Sequence, residues 1–140
     1  AKAAGWQDFE GLVGDTDVSV KLMRIFSLRG SFRRDVHFSL WSDNAYFQED
    51  RVGAGASVYL LKKLRLSYDH TRGRNFYPEG QPMASEKRDD LYLIHSVGIY
   101  FRLKENTGIG IVASRWSRDS NLDWEDDTRD FLGLNLTYDF

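Results

Sequence analysis

The run Leu132-Gly133-Leu134-Asn135-Leu136-Thr137-Tyr138-Asp139-Phe140 alternates without a break. A period of two puts Leu132, Leu134, Leu136, Tyr138 and Phe140 on one face of a strand and Gly133, Asn135, Thr137 and Asp139 on the other. The pattern recurs upstream. Leu12 to Leu22 alternates in the same way, and Phe26, Leu28, Gly30 and Phe32 oppose Ser27, Arg29, Ser31 and Arg33. Val52, Ala54, Ala56, Val58 and Leu60 oppose Gly53, Gly55, Ser57 and Tyr59, and Leu64, Leu66 and Tyr68 oppose Arg65, Ser67 and Asp69. Leu91, Leu93, Val97, Ile99, Phe101 and Leu103 face away from Tyr92, Ser96, Gly98, Tyr100 and Arg102, with Ile94 an apolar exception. Ile109, Ile111 and Ala113 open a further strand. No segment has helical spacing, so the chain reads as an all-β series of about seven to eight antiparallel strands in one domain, residues 1–140.

Short and long connections alternate strictly. Met23 to Ile25, Leu61 to Lys63 and Lys104 to Asn106 are short; Val36 to Gln48, Arg72 to Asp89 (with both prolines, Pro78 and Pro82) and the acidic Asp123 to Asp127 are the longer ones. Short turns at one rim and long loops at the other predict an up-and-down transmembrane β-barrel. Strands of about nine or more residues suit a tilted bilayer crossing, whereas most strands of soluble sandwiches are shorter.

Composition fits this reading. No window holds the roughly 18 to 20 apolar residues of a transmembrane helix. A barrel strand shows lipid only at every second residue, so a mean hydropathy of -0.50 is compatible with a membrane. A net charge of -2 argues against a nucleic-acid partner, and zero cysteines exclude a disulfide framework or thiolate metal site. No cofactor is expected. Ala1-Lys2-Ala3-Ala4-Gly5 is not a signal peptide. The expectation is a mature chain or part of a longer one.

A membrane barrel turns the usual face assignment inside out. The charged positions lie at mid-strand with both signs: Lys21 and Asp17, Arg29 and Arg33, Arg65 and Asp69, Arg102 and Asp139. Lys21, Arg29, Arg33, Arg65, Asp69, Arg102 and Asp139 are therefore expected in a lumen, either selecting anions or filling a narrow barrel as salt bridges with Asp17, Asp69 and Asp139. Phe26, Phe32, Tyr68, Phe101, Tyr138 and Phe140 stand near strand ends on the opposite face, where interfacial aromatic girdles form. A soluble lipocalin-like barrel would bury that face instead.

The ending of the chain resembles the C-terminal strand of bacterial outer-membrane barrels, with Gly133, Leu136, Tyr138 and Phe140 carrying the closing-strand pattern. Arg51-Val52-Gly53-Ala54-Gly55-Ala56-Ser57-Val58-Tyr59-Leu60 with Lys63-Leu64-Arg65-Leu66-Ser67-Tyr68 resembles a hairpin of the putative β-barrel porins, and so does Arg88-Asp89-Asp90-Leu91-Tyr92 continuing through Val97 to Leu103. The nearest resemblance is to the C-terminal part of the second putative β-barrel porin family, associated with exopolysaccharide export. It implies a bacterial outer-membrane location and a porin-like or structural role in polysaccharide or solute passage. The implied partners are outer-membrane lipid and lipopolysaccharide, the barrel-assembly machinery acting on the last strand, polysaccharide, and other barrel strands or subunits. No catalytic residue carries over.

Seven strands leave a parity question. Single-chain bacterial barrels have even strand numbers with both ends periplasmic. Either Trp6 to Gly11 belongs to an irregular further crossing of an eight-stranded barrel, or strands N-terminal to Ala1 complete a larger one.

Three histidines raise the alternative of an outer-membrane lipid hydrolase or acyltransferase. His70 lies beside Asp69 and Thr71, and His37 falls in a long connection, but neither sits in a nucleophile–base–orienter motif. His95 falls on the lipid-facing register and marks either a contact with another element or a register shift. Asp123, Glu125, Asp126 and Asp127 read as a solvated acidic loop without EF-hand spacing. Trp41, Tyr46, Phe47, Tyr77 and Trp124 read as an outer aromatic girdle, or as a stacking surface for sugar rings.

Overall fold

The computed structural model describes residues 11–23, 25–39, 46–61, 63–81 and 84–138. Seven strands form one antiparallel sheet in sequence order: β1 (Gly14–Leu22), β2 (Phe26–Phe38), β3 (Tyr46–Leu60), β4 (Leu64–Gln81), β5 (Ala84–Lys104), β6 (Thr107–Ser120) and β7 (Asp127–Tyr138). A single 3-10 turn, Asp123–Glu125, precedes β7, and no α-helix occurs among the described residues. β1 and β7 are the edges and are not paired with each other. Every second residue of these strands is β-branched, aromatic or otherwise apolar over most of their length, which is what a sheet with two chemically distinct faces requires.

The strands run further than their hydrophobic alternation suggests. β2 continues to Phe38 and β3 starts at Tyr46, so Val36 to Phe38 and Tyr46 to Gln48 are ladder, not loop. The larger correction concerns Arg72 to Asp89. These residues do not form a long irregular connection: β4 and β5 pair from Leu64↔Phe101 out to Gln81↔Ala84, with irregular register between Phe76 and Gly80. Pro78 falls in that irregular stretch, where no ladder hydrogen bond is asked of its missing N–H. The polar residues of this hairpin hid it, because the pairing is held by ladder bonds and charge pairs instead of apolar burial. At the other rim, Met23 and Leu61 occupy equivalent places after β1 and β3, each with φ of 50°.

Register aligns like with like across the sheet. One face carries the rows Val20, Leu28, Ala56, Tyr68, Val97, Ala113, Leu132 and Leu22, Phe26, Val58, Leu66, Ile99, Ile111, Leu134. The opposite face carries rows such as Ser19, Arg29, Gly55, Asp69, Ser96, Ser114. The well-buried side chains, Glu49, Tyr77, Arg88, Asp90, Tyr92, Ser120 and Leu122, gather at the long-hairpin end. Four of the seven are polar or charged, so this is no ordinary hydrophobic core.

Candidate functional site

The polar face is concave. Among the described residues, side chains on strands two apart meet on this face: Arg29 of β2 and Asp69 of β4 at 3.8 Å, Tyr92 of β5 and Glu49 of β3 at 2.5 Å, and Tyr100 of β5 and Thr137 of β7 at 2.6 Å. Strands two apart lie about 9.5 Å from one another, so such pairs need long side chains, an inward curve and an empty place between them. Glycine supplies the empty place each time. A Cβ at Gly55 would collide with Asp69 Oδ1, one at Gly73 with the Tyr92 ring, and one at Gly108 with the Tyr100 hydroxyl. The charged and ring contacts on the apolar face, by contrast, join neighbouring strands: Arg34 with Asp50, His70 with His95, Arg74 with Asp89, Arg115 with Asp130.

At the long-hairpin end the concave face closes in two linked networks. In the first, Glu49 Oε1 accepts from the Tyr92 hydroxyl and from Arg51 Nη2 at 2.7 Å, while Glu49 Oε2 lies 3.3 Å from His37 Nε2. Burial pushes the Glu49 carboxyl up, but the hydrogen bonds from Tyr92 and Arg51 outweigh it and hold it below the usual carboxylate range. Burial, reinforced by the bond to Glu49, pushes the Tyr92 phenol up to about 12. In the second network, Arg88 and Asp90 are 2% and 0% exposed and form a paired fork through Nε and Nη2. Ser120 Oγ donates to Asp90 Oδ1 at 2.6 Å, Glu125 receives Arg88 at 2.9 Å and Arg118 at 3.2 Å, and the Arg88 guanidinium lies 4.9 Å from the centre of the Tyr77 ring. Phe47 bridges the two, its ring centre 5.2 Å from both His37 and Tyr77.

Buried charges are tolerable only when paired and hydrogen-bonded. Here the carboxylates of Glu49, Asp90 and Glu125 each face at least one guanidinium. The arrangement can seal and stiffen one end of the concave face. It presents no free nucleophile beside a free base.

Three carboxylates of the acidic segment before β7, read from sequence as a solvated loop, are partnered. Glu125 is committed to Arg88 and Arg118, Asp126 Oδ1 accepts from the Ser120 backbone at 2.8 Å, and Asp127 pairs with Arg129 at 2.5 Å. Among the described residues no cluster of carboxylates and imidazoles has the makings of a metal site.

The residues singled out from sequence fall as follows. Lys21, Arg29, Arg33, Arg65, Asp69 and Arg102 share the polar face by register; Asp139 lies outside the described residues. Of the expected bridges, Arg29 pairs with Asp69, whereas Arg33 turns to Asp35 on its own strand and Arg65 lies over the Tyr100 ring at 5.1 Å. Gly133, Leu136 and Tyr138 sit in β7, and Phe140 lies outside the described residues.

His95 is no register shift. It faces His70 across β4–β5, Nδ1 to Nδ1 at 3.4 Å, and its Nδ1 lies 2.8 Å from the Tyr68 hydroxyl. His37, expected in a loop, is in β2 against Glu49. Tyr46 and Phe47 belong to β3, Tyr77 is buried in β4, Trp124 is exposed, and Trp41 is outside the described residues.

Arg88, Asp90, Glu49 and Tyr92 were not found as a site from sequence. The available signal was polar alternation on both sides of Leu91, with Asp90 and Tyr92 on one face. No protein-family model, characterised protein or solved structure matches this chain.

Proposed function

We propose that this chain forms wall of a bacterial outer-membrane β-barrel, porin-like or structural, with the apolar face towards lipid and the polar face towards the lumen. The observation that carries the reading is the inverted alternation of β5. Val97, Ile99 and Phe101 are exposed, Val97 at 54% and Ile99 at 52%, while Ser96, Gly98 and Tyr100 beside them are buried or half-buried. Water does not favour a sheet whose convex face is a continuous apolar surface, since monomers rarely expose patches above a few hundred Å². Hydrocarbon does. A soluble ligand-binding barrel would require the opposite curvature.

Two further features support a membrane wall. On β1 to β3 the convex apolar stripe reaches Thr16, Phe32 and Val52; on β4 to β7 it stops lower, at Tyr68, Val97, Ala113 and Leu132, beneath His70, His95, Arg115 and Asp130. A planar boundary crosses tilted strands obliquely in this way. Second, β1 and β7 run in the same direction, so antiparallel closure takes an odd number of additional strands between them. Unpaired edge groups in hydrocarbon cost several kcal/mol each, which makes closure obligatory in this setting. Other barrel strands or subunits are thus part of the proposal, as are lipid, lipopolysaccharide and the barrel-assembly machinery at β7.

The resemblance of the Arg51 to Tyr68 hairpin to exopolysaccharide-associated barrels makes polysaccharide or solute passage the proposed role. The test is folding: the chain should show heat-modifiable gel migration after refolding into detergent or vesicles. A stable monomer in plain buffer would overturn the membrane reading. Absence of conductance from reconstituted full-length protein would overturn the passage role and leave the structural one.

A further inference from the structure

The arginines of the concave face divide into two groups. Arg29, Arg33, Arg51, Arg88, Arg118 and Arg129 each have a carboxylate within 4 Å. Arg65 and Arg102, near the short-turn rim, have none among the described residues, and with Lys63 they line a cleft of about 350 Å³ without a single carboxylate in its wall. The local geometry keeps these cations together. The Arg102 backbone N–H donates to the Lys63 carbonyl at 2.8 Å, drawing the first turn of β4 against the end of β5. Arg65 rests on the Tyr100 ring, whose hydroxyl is tied to Thr137 and whose edge packs against Gly110. Thr137 and Asn135 add neutral hydrogen-bonding groups to the same wall.

Among the described residues this corner gathers three cations with no carboxylate in its wall, so an anion from outside can supply their counter-charge. Guanidinium groups bind planar or tetrahedral oxyanions through paired N–H donors, and an arginine already seated on an aromatic ring loses less freedom in doing so. We infer that Lys63, Arg65 and Arg102 form a binding site for the oxyanion group of a small solute, a carboxylate or a phosphate, with Asn135 and Thr137 available to its hydroxyls. The site is built from Lys63 of the β3–β4 turn with β4, β5 and β7, and does not require the sheet to be closed or membrane-inserted.

The test is calorimetric titration at low salt of the full chain, in whichever medium it folds, with inorganic phosphate, glucuronate and neutral glucose. Saturable binding of phosphate or glucuronate but not glucose supports the site; phosphate alone assigns a compact free anion, and glucuronate assigns a carboxylated sugar. R65Q/R102Q should weaken that binding about tenfold or more, R65K/R102K should retain part of it, and Arg29→Gln, at a self-neutralised arginine, should leave it unchanged. Circular dichroism of each variant checks that the sheet is intact. Failure of both anions to bind the folded wild type, or equal affinity in R65Q/R102Q, overturns the site whatever the outcome of the folding test above.

Discussion

Tyr92 of β5 passes over Gly73 of β4 and donates its hydroxyl to Glu49 of β3, 2.5 Å away. This one relationship states how the concave face is built: a long side chain, a missing one and a polar partner in three consecutive strands. The same scheme recurs at Arg29, Gly55 and Asp69 and at Tyr100, Gly108 and Thr137.

Filling the gap should break the bridge. Gly73→Ala puts a methyl into the Tyr92 ring, forcing it off Glu49, and is expected to destabilise the sheet by about 1–3 kcal/mol through the lost bond and displaced ring. Urea unfolding followed by tryptophan fluorescence measures it. G73A/Y92A should cost less than the sum of its two single changes, because both remove the same contact.

The Arg88–Asp90 pair offers a sharper contrast. Arg88→Met leaves the Asp90 carboxylate buried beside Ser120 with no cation, a loss of about 3 kcal/mol or more, whereas replacing both by apolar residues should recover much of it. Thermal unfolding of the single and double variants checks the difference.

Stability should fall at both extremes of pH. Glu49 has a folded pKa below its ordinary 4.5, so its contribution is complete above that value and is lost as pH falls through the depressed one. Tyr92 has the opposite sign: its folded pKa lies above the ordinary 10.0, so its contribution is complete below pH 10 and is lost as pH rises towards about 12. Unfolding midpoints across pH should therefore lose their acid limb partly in Glu49→Gln and their alkaline limb partly in Tyr92→Phe.

Adjacent residues of one strand should respond oppositely to the same substitution. Val97 is on the convex face and Ser96 on the concave one. Val97→Arg is expected to cost about 2–4 kcal/mol if that face meets hydrocarbon. Ser96→Arg, in the row of Asp69, should be nearly neutral. Refolding yield into vesicles separates the two, and equal tolerance at both positions would contradict the face assignment.

The strands, their order and the identity of the two faces were legible in the sequence, because a period of two needs no partner to be read: Val97, Ile99 and Phe101 announce a face by spacing alone. Leu132 to Tyr138 read as a strand for the same reason, and β7 contains it. Alternation by itself is identical whether the apolar set points in or out, so an inward polar face was expected only from the mid-strand charges and the aromatics near strand ends. The sign of curvature came from Arg29 reaching Asp69 and Tyr92 reaching Glu49 across glycines, contacts between residues 40 and 43 positions apart that no local pattern encodes. The outer half of the β4–β5 hairpin was also hidden, because Arg88, Asp89 and Asp90 look like a loop until their charges are seen to be matched by Arg74, Ser120 and Glu125. Local chemistry determined which residues share a face; only the tertiary structure decided which face is concave, because curvature depends on what lies two strands away.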